Sequence, residues 1–299
     1  MTAPVSSAVV LAEETWRERE RVHAQQADTL TAAHRERRQS GAAHPVEDFL
    51  FTYYPTRPAQ LRRWHPGGAV LLAGAAERAG WRWYRVDESG RASLDAAAFL
   101  ADRGEGVTWA RELLEGTLSR PARYTCFGLH EWAMVYRTSD VRHEQVPLRL
   151  GAEGTDAVVR AHPLRCTHFD AFRFFTDDAA PRNERPLDRA SQLQVEQPGC
   201  LHANMDCYRI AMKLGPVVPG ELLLDCFELA RDIRELDMRA SPYDLRDWGY
   251  QPVPIETPEG KATYVAAQRE FTRRSNGLRD RLLAAIAALQ APPGTGHRI

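Results

Sequence analysis

Residues 221–240 read ELLLDCFELARDIRELDMRA and decide the fold more than any other stretch of this chain. The apolar residues recur at spacings of four and three, the period of one face of an α-helix, so a helix with one buried side is predicted. The residues of this stripe are Leu222, Cys226, Leu229, Ile233 and Leu236. The preceding segment LHANMDCYRIAMKL, 201–214, predicts a second helix that ends at Gly215-Pro216.

Helices are also predicted along most of the remaining chain. The segments are 10–38, a short helix from His44-Pro45 through VEDFLFTYY, 94–103 with Ser93 as N-cap, 106–119, 156–162, and one from Thr257-Pro258 to about Leu289. The stretch WRWYRVDESGRAS, 81–93, has the alternation and turn residues of a small β-hairpin. The predicted fold class is therefore mainly α with a small β component.

The predicted domain organisation is a single compact helical domain over residues 1–290, since neither a linker nor a structural repeat interrupts the pattern. Its core motifs are 44–66 and 126–245. The segment 177–199 is rich in Pro, Asp, Arg and Asn and predicts a long functional loop. The last residues, APPGTGHRI at 291–299, predict a disordered tail.

The composition excludes several classes of protein. The chain has 299 residues, of which 43% are hydrophobic and 26% charged. No apolar run is long enough to span a membrane, and the N-terminus lacks the basic region of a secretory signal, so a cytoplasmic protein without a membrane partner is expected. Five cysteines in such a chain argue against a disulfide framework. The formal net charge of −1 is unlike that of a dedicated nucleic-acid binder, although a locally basic groove is compatible with it.

Two short segments each place a thiol, an imidazole and a carboxylate close together. They are Cys166-Thr167-His168-Phe169-Asp170 and Cys200-Leu201-His202 followed by Asp206. Residues two apart on a strand, or four apart on a helix, share a face. The predicted catalytic residues, expected to converge on one pocket, are Asp170, His168, Asp206 and His202. Such groups suit a general base oriented by an acid, or an iron or zinc site. A structural alternative stays open, in which the cysteines are buried apolar groups and the histidines make local hydrogen bonds.

The segment GLHEWAMVY, 128–136, supplies a further candidate ligand. His130 and Glu131 are neighbours on a helix, where successive side chains point about 100° apart, so only one of them can face a shared pocket. Under the metal interpretation the expected cofactor is iron or zinc. The ligands would then be His168, His202, Asp206 and Glu131.

Aromatic residues are interleaved with arginine in FLFTYYPTRPAQLRRWHPG, 49–67, and in DAFRFFT, 170–176. Proteins use aromatic faces and guanidinium groups to stack an extruded base and hold its phosphates, although an ordinary core and its rim contain them too. The predicted substrate-binding residues are Tyr53, Tyr54, Trp64, Arg173 and Tyr243.

Six segments together resemble an actinobacterial protein family of about this length that commonly carries the name 3-methyladenine DNA glycosylase. The segments are HPVEDFLFTYY (44–54), RPAQLRRWHPG (57–67), CFGLHEWAMVYR (126–137), HFDAFRFFT (168–176), EQPGCLHANMD (196–206) and ELDMRASPYDL (235–245). The resemblance extends from His44 to Phe271.

The resemblance implies hydrolysis of the N-glycosidic bond of an alkylated purine such as 3-methyladenine, with alkylated DNA as partner and no cofactor. Asp170 or Asp206, with His168 or His202 as partner, would stabilise the oxocarbenium-like state or activate water. The chain has neither an L-P-G-I-G hairpin nor a four-ligand zinc pattern at either terminus, so no catalytic residue is carried over from the well-understood glycosylases. The alternatives are an iron- or zinc-dependent oxidoreductase or hydrolase acting on a small molecule, and a non-enzymatic regulatory or interaction protein.

Overall fold

Long helices in the second half of the chain form the centre of the fold. The computed structural model describes residues 9–54, 56–141 and 145–290, and these ranges contain eleven α-helices. The helices are α1 (Glu13–Ser40), α2 (Phe49–Thr52), α3 (Pro58–Leu61), α4 (Ala96–Ser119), α5 (Leu129–Ala133), α6 (Gly151–Ala161), α7 (Phe169–Phe172), α8 (Gln192–Val195), α9 (Leu201–Leu214), α10 (Gly220–Arg239) and α11 (Pro258–Gln290). Helix α9 packs against α10 and α11, and α11 also packs against α4. The protein is thus mainly α, as predicted.

The predicted apolar stripe of α10 lies in the hydrophobic core. Leu229 and Ile233 are completely buried, and burial of such a side chain contributes about 1.5–3 kcal/mol. Because side chains four residues apart share a helix face, the stripe also turns Asp237 towards the interior, where it is buried. The same packing that stabilises α10 therefore places a carboxylate inside the protein.

The chain also forms one small sheet. Its strands are β1 (Val9–Leu11), β2 (Val70–Leu72), β3 (Tyr84–Val86) and β4 (Ala92–Leu94), in the order β1-β2-β4-β3. Strands β1 and β2 are parallel, and the other pairs are antiparallel. The hairpin predicted within 81–93 is confirmed as β3 and β4. Its turn is held by Asp87, whose Oδ1 accepts hydrogen bonds from the backbone N–H groups of Ser89 and Arg91.

One predicted helix boundary is wrong. The segments 94–103 and 106–119 are one continuous helix, α4, because Gly104 and Gly106 sit in the helix without breaking it. Ser93 lies in β4 and does not cap this helix. Asp95 does, since its side chain accepts a hydrogen bond from the backbone N–H of Ala98 at 3.0 Å.

Other predicted boundaries shift by a few residues. The first helix begins at Glu13, because the residues before it form β1, and α6 begins at Gly151. The loop predicted over 177–199 contains α8 and a 3₁₀ turn, Ala180–Arg182. The tail 291–299 lies outside the described residues. In the described ranges, no helix is both long and apolar enough to cross a membrane.

Candidate metal centre

Six buried titratable side chains gather in the interior, from α5, α9, α10 and the segments that precede α7 and α9. They are His130, His168, Glu196, His202, Asp206 and Asp237, each at most 6% exposed. His202 and Asp206 share a face of α9 because they are four residues apart. A buried charge needs a partner, so these groups are arranged in contact with one another.

His130, His202 and Asp237 form the first of two groups that could hold a metal ion, with one ligand atom from each within 4.8 Å of the others. His130 Nε2 is 3.0 Å from Asp237 Oδ1, and the rings of His130 and His202 meet edge to face with centroids 4.4 Å apart. Within the described residues, neither His130 Nε2 nor Asp237 Oδ1 makes a correctly directed hydrogen bond. Two ligands about 2.1 Å from one ion and at right angles lie about 3.0 Å apart. The 3.0 Å contact is therefore compatible with two ligands of one metal ion as well as with an ion pair.

His168, Glu196 and Asp206 form the second group. His168 Nδ1 lies 2.8 Å from Glu196 Oε1, and its Nε2 lies 3.9 Å from Asp206 Oδ2. The two nitrogens of the His168 ring thus face different carboxylates. A metal ion bound at Nε2 would lie beside Asp206, and Glu196 would orient the ring through Nδ1; an ion bound at Nδ1 would reverse these roles. The first group, with two imidazoles and one carboxylate, is the better set of ligands.

The pKa of His202 is lowered, whereas the pKa values of His130 and His168 are raised. Burial and the neighbouring His130 lower the pKa of His202 well below its usual range, so this ring is neutral, the form that binds metals. Burial acts in the same direction on His130, but Asp237 outweighs it and raises the pKa of His130 well above its usual range. Glu196 likewise outweighs burial and raises the pKa of His168. In the metal-free protein, His130 and Asp237 thus form a buried ion pair.

The buried carboxylate of Asp170 accepts hydrogen bonds from two arginines. Arg189 Nη2 donates to it at 2.8 Å and Arg209 Nη1 at 2.7 Å, while Arg173 Nε lies 3.5 Å away. Burial alone would raise the pKa of Asp170, but the hydrogen bonds from Arg189 and Arg209 outweigh it and lower the pKa to about 2. Arg209 also donates to Asp206, and this bond links Asp170 to the second group.

The four predicted catalytic residues lie in one connected cluster. The rings of His168 and His202 stack with centroids 5.3 Å apart, and Arg209 joins Asp206 to Asp170. They do not form one ligand set. His202 belongs to the first group, His168 and Asp206 belong to the second, and Asp170 belongs to neither.

Glu131, predicted as a metal ligand, also belongs to neither group. Its carboxylate accepts a hydrogen bond from Arg234 Nη1 at 2.8 Å, and the same nitrogen lies 3.3 Å from Asp237 Oδ2. The Arg234 guanidinium is buried against the ring of Phe49, 3.9 Å from its centroid. Arg234 therefore offsets negative charge beside the first group and fixes both carboxylates.

The thiols of the two Cys-x-His segments line one small cavity. Cys166 and Cys200 meet Cys126 there, beside His130 and His202. Its volume is ≈ 10 Å³, about enough for one water molecule. Burial raises the pKa of Cys166 and of Cys200, so both remain protonated thiols. These cysteines therefore pack as small buried groups beside the histidines.

Two larger cavities open beside the cluster. The centre cavity, of ≈ 490 Å³, is lined by His202 together with Tyr53 and Asp170. The arginine cavity, of ≈ 640 Å³, has Tyr53 and Asp170 in its wall as well, and is also lined by Tyr54 and Arg173. Tyr53 and Asp170 thus form a wall common to both cavities. Both volumes are in the range of small-molecule sites.

The other two predicted substrate-binding residues lie elsewhere. Trp64 is fully buried, packs in a cluster with Trp16 and donates from Nε1 to Glu221 at 3.2 Å. Tyr243 is buried in a different cluster, with Val46. Neither lines the centre cavity or the arginine cavity. Of the aromatic and arginine residues predicted to bind substrate, Tyr53, Tyr54 and Arg173 therefore line a cavity, whereas Trp64 and Tyr243 lie in the core.

Asp237 and Glu196 are cluster residues that the sequence patterns did not single out. A usable signal exists for Asp237, which stands four residues after Ile233 and so continues the buried stripe of α10 with a carboxylate. An ionised group in such a position needs a partner, and His130 supplies it. Glu196 follows α8 in the 177–199 loop, where no periodicity indicates which side chains point inward.

Comparison of the chain with protein-family models, with curated proteins and with solved structures gave no significant match. Its function therefore has to be inferred from the site.

Proposed function

We propose that this protein is a metal-dependent enzyme that acts on a small molecule, with one iron or zinc ion held by His130, His202 and Asp237. The observation that carries the proposal is the convergence of these three buried side chains, each of which offers one ligand atom within 4.8 Å of the others. Two imidazoles and one carboxylate are the donor set of many non-haem iron enzymes and of catalytic zinc sites, both of which keep open coordination positions.

The surroundings of the three ligands support a catalytic role. His202 lines the centre cavity, so an open coordination position would face a space of substrate size. A bound ion supplies Lewis acidity there, towards a substrate oxygen or a water molecule. Arg234 holds Asp237 in place and also holds Glu131, whose carboxylate in the cavity wall can accept a proton from the substrate.

Metal analysis of protein purified without a polyhistidine tag tests this proposal. We expect about one equivalent of iron or zinc per chain, as a three-ligand catalytic site binds. His202→Ala and Asp237→Asn should lose the metal, with circular dichroism to verify folding. His162→Ala is the matched control, since His162 Nδ1 contacts the Val158 carbonyl of α6 and the residue belongs to neither group. Protein that stays metal-free after incubation with Fe²⁺ and with Zn²⁺ would contradict the proposal.

Hydrolysis of the N-glycosidic bond of an alkylated purine is a second candidate. The supporting observation is Asp170, an ionised carboxylate in the wall that the two cavities share, next to the Tyr53 ring and Arg173. An anion in that position could stabilise an oxocarbenium-like state. The test is release of 3-methyladenine from alkylated DNA in the presence of a chelator, with Asp170→Asn as the inactive variant. Undetectable binding to DNA at low salt would reject it.

A further inference from the structure

The arginine cavity concentrates positive charge. Its five cationic residues are Arg103, Arg173, Arg189, Arg209 and Lys213. The carboxylates that contact these cations, in the part of the chain that the structure describes, are Asp102, Asp170 and Asp206. Even with all three carboxylates ionised, two positive charges are in excess. A concave site with such an excess attracts anionic ligands.

Lys213 accounts for one of the two excess positive charges. No salt bridge joins it to any described residue, and its Nζ lies 5.4 Å from the centroid of the Trp109 ring. Burial, together with the charge of nearby Arg209, lowers the pKa of Lys213. An ammonium group placed beside other cations gains most from a bound anion, which would supply the missing negative charge.

Aromatic rings complete the cavity wall. Tyr53 stacks on Phe49 with ring centroids 4.9 Å apart and planes 10° apart. Trp83 adopts φ +62°, a left-handed conformation that is unfavourable for a non-glycine residue. Its ring is held edge-on against Phe99 at 5.1 Å. Strained residues of this kind concentrate at ligand sites, where the surrounding structure holds them in place.

The arginine cavity adjoins the proposed metal centre. Tyr53 and Asp170 line both the arginine cavity and the centre cavity, and His202 lines the latter. The two cavities are therefore neighbours across Tyr53 and Asp170, and a ligand anchored among the arginines would lie close to the cavity that His202 lines.

We propose that the arginine cavity binds the phosphate group of a phosphorylated, ring-containing small molecule, which lies against Tyr53 and Trp83 and extends towards His202. Guanidinium groups match phosphate oxygens in pairs, and Lys213 adds a point charge. This inference names the substrate class of the proposed metal-dependent reaction and rests on that function for the chemistry. Binding itself requires only the cavity.

A single small molecule suits the cavity better than a nucleic-acid strand. The cations surround one space of ≈ 640 Å³, whereas a strand is bound along an extended basic groove. The chain as a whole has a net charge of −1 and so offers little general attraction for a polyanion.

Calorimetric titration of the full chain, as purified, tests the inference with adenosine 5′-monophosphate, adenosine and a single-stranded oligonucleotide as probes. We expect the monophosphate to bind about tenfold or more tightly than adenosine, the gain from one or two charge-assisted hydrogen bonds. Lys213→Met and Arg189→Gln should each weaken binding of the monophosphate about tenfold and leave that of adenosine unchanged. Arg273→Gln, an exposed arginine that pairs with Glu270, is the matched control.

Equal affinity for the monophosphate and adenosine, or no binding of either, would overturn the inference. The same holds if Lys213→Met binds like the parent protein, or if the oligonucleotide binds much more tightly than the monophosphate with a steep dependence on salt. Lys213→Arg, which keeps the charge, should restore binding and so separates loss of the charge from loss of folding. If the protein binds the monophosphate but holds no metal, only the proposed metal centre is rejected. If the protein holds the metal but does not bind the monophosphate, only the proposed phosphate site is rejected.

Discussion

The imidazole rings of His168 and His202 stack with their centroids 5.3 Å apart and their planes at 22°. Their pKa shifts are opposite, since that of His168 is raised and that of His202 is lowered. Burial thus favours the neutral form of the His202 ring, whereas Glu196 favours the protonated form of the His168 ring. The contact joins the two metal-capable groups into one buried network.

The two groups should respond differently to the loss of a carboxylate. Asp237→Asn removes a proposed ligand and is expected to lower metal affinity about a hundredfold or more, whereas Asp206→Asn, in the second group, should lower it about tenfold at most. Competition with a chromophoric chelator measures both affinities. An equal loss in the two variants would contradict the choice of His130, His202 and Asp237 as ligands.

Metal binding should weaken in acid. Asp237 raises the pKa of His130 against the effect of burial, so this ring carries a proton that the metal must displace. Below that raised pKa, the apparent affinity is expected to fall by about tenfold per pH unit for each proton released. Affinities measured at pH 6 and pH 8 provide the comparison. An unchanged affinity would show that His130 is not a ligand.

Asp170 should stabilise the fold above its usual pKa and lose this effect in acid. Its folded-state pKa is lowered to about 2, from an unfolded value near 3.9. The stabilisation, about 2–3 kcal/mol, is therefore complete above about pH 5 and disappears as the pH falls through 2. Urea unfolding of the parent protein and Asp170→Asn between pH 7 and pH 2.5 measures it. We expect the difference between them to shrink over this range, and a constant difference would count against the ion pairs.

Arg234 should contribute strongly to stability. Arg234→Met leaves the buried carboxylate of Glu131 without a cationic partner and is expected to cost about 3–5 kcal/mol of unfolding free energy. Arg231→Met is the matched control on the same helix. Arg231 is half exposed and pairs with the exposed side of Asp232 at 3.5 Å, so its loss should change stability by about 0.5 kcal/mol or less. Similar losses in both variants would contradict the importance of the buried pair.

Local sequence patterns were sufficient to predict helices whose apolar residues recur with the helical period. The stripe through Leu229 and Ile233 predicted α10, and the spacing of His202 and Asp206 placed both on one face of α9. Patterns failed where two local preferences competed. Ser93 and Asp95 are both good caps, and pairing with β3 placed Ser93 in the sheet.

The candidate site was less predictable because its contacts are long-range. His130 and Asp237 are 107 residues apart in the chain, and nothing in either segment indicates the other. The pairing depends on how α5 and α10 come together in three dimensions. Trp64 was predicted to bind substrate because arginines flank it in the sequence, but it is buried in a hydrophobic cluster.

The wall formed by Tyr53 and Asp170 has a consequence for selectivity. A molecule whose charged end is fixed on one side of this wall can present to His202 only the atoms that its own length brings there. Shorter compounds would bind without reaching the reactive position, and longer ones would place the wrong bond beside it. Among compounds that carry the phosphate group, discrimination would then depend on molecular length.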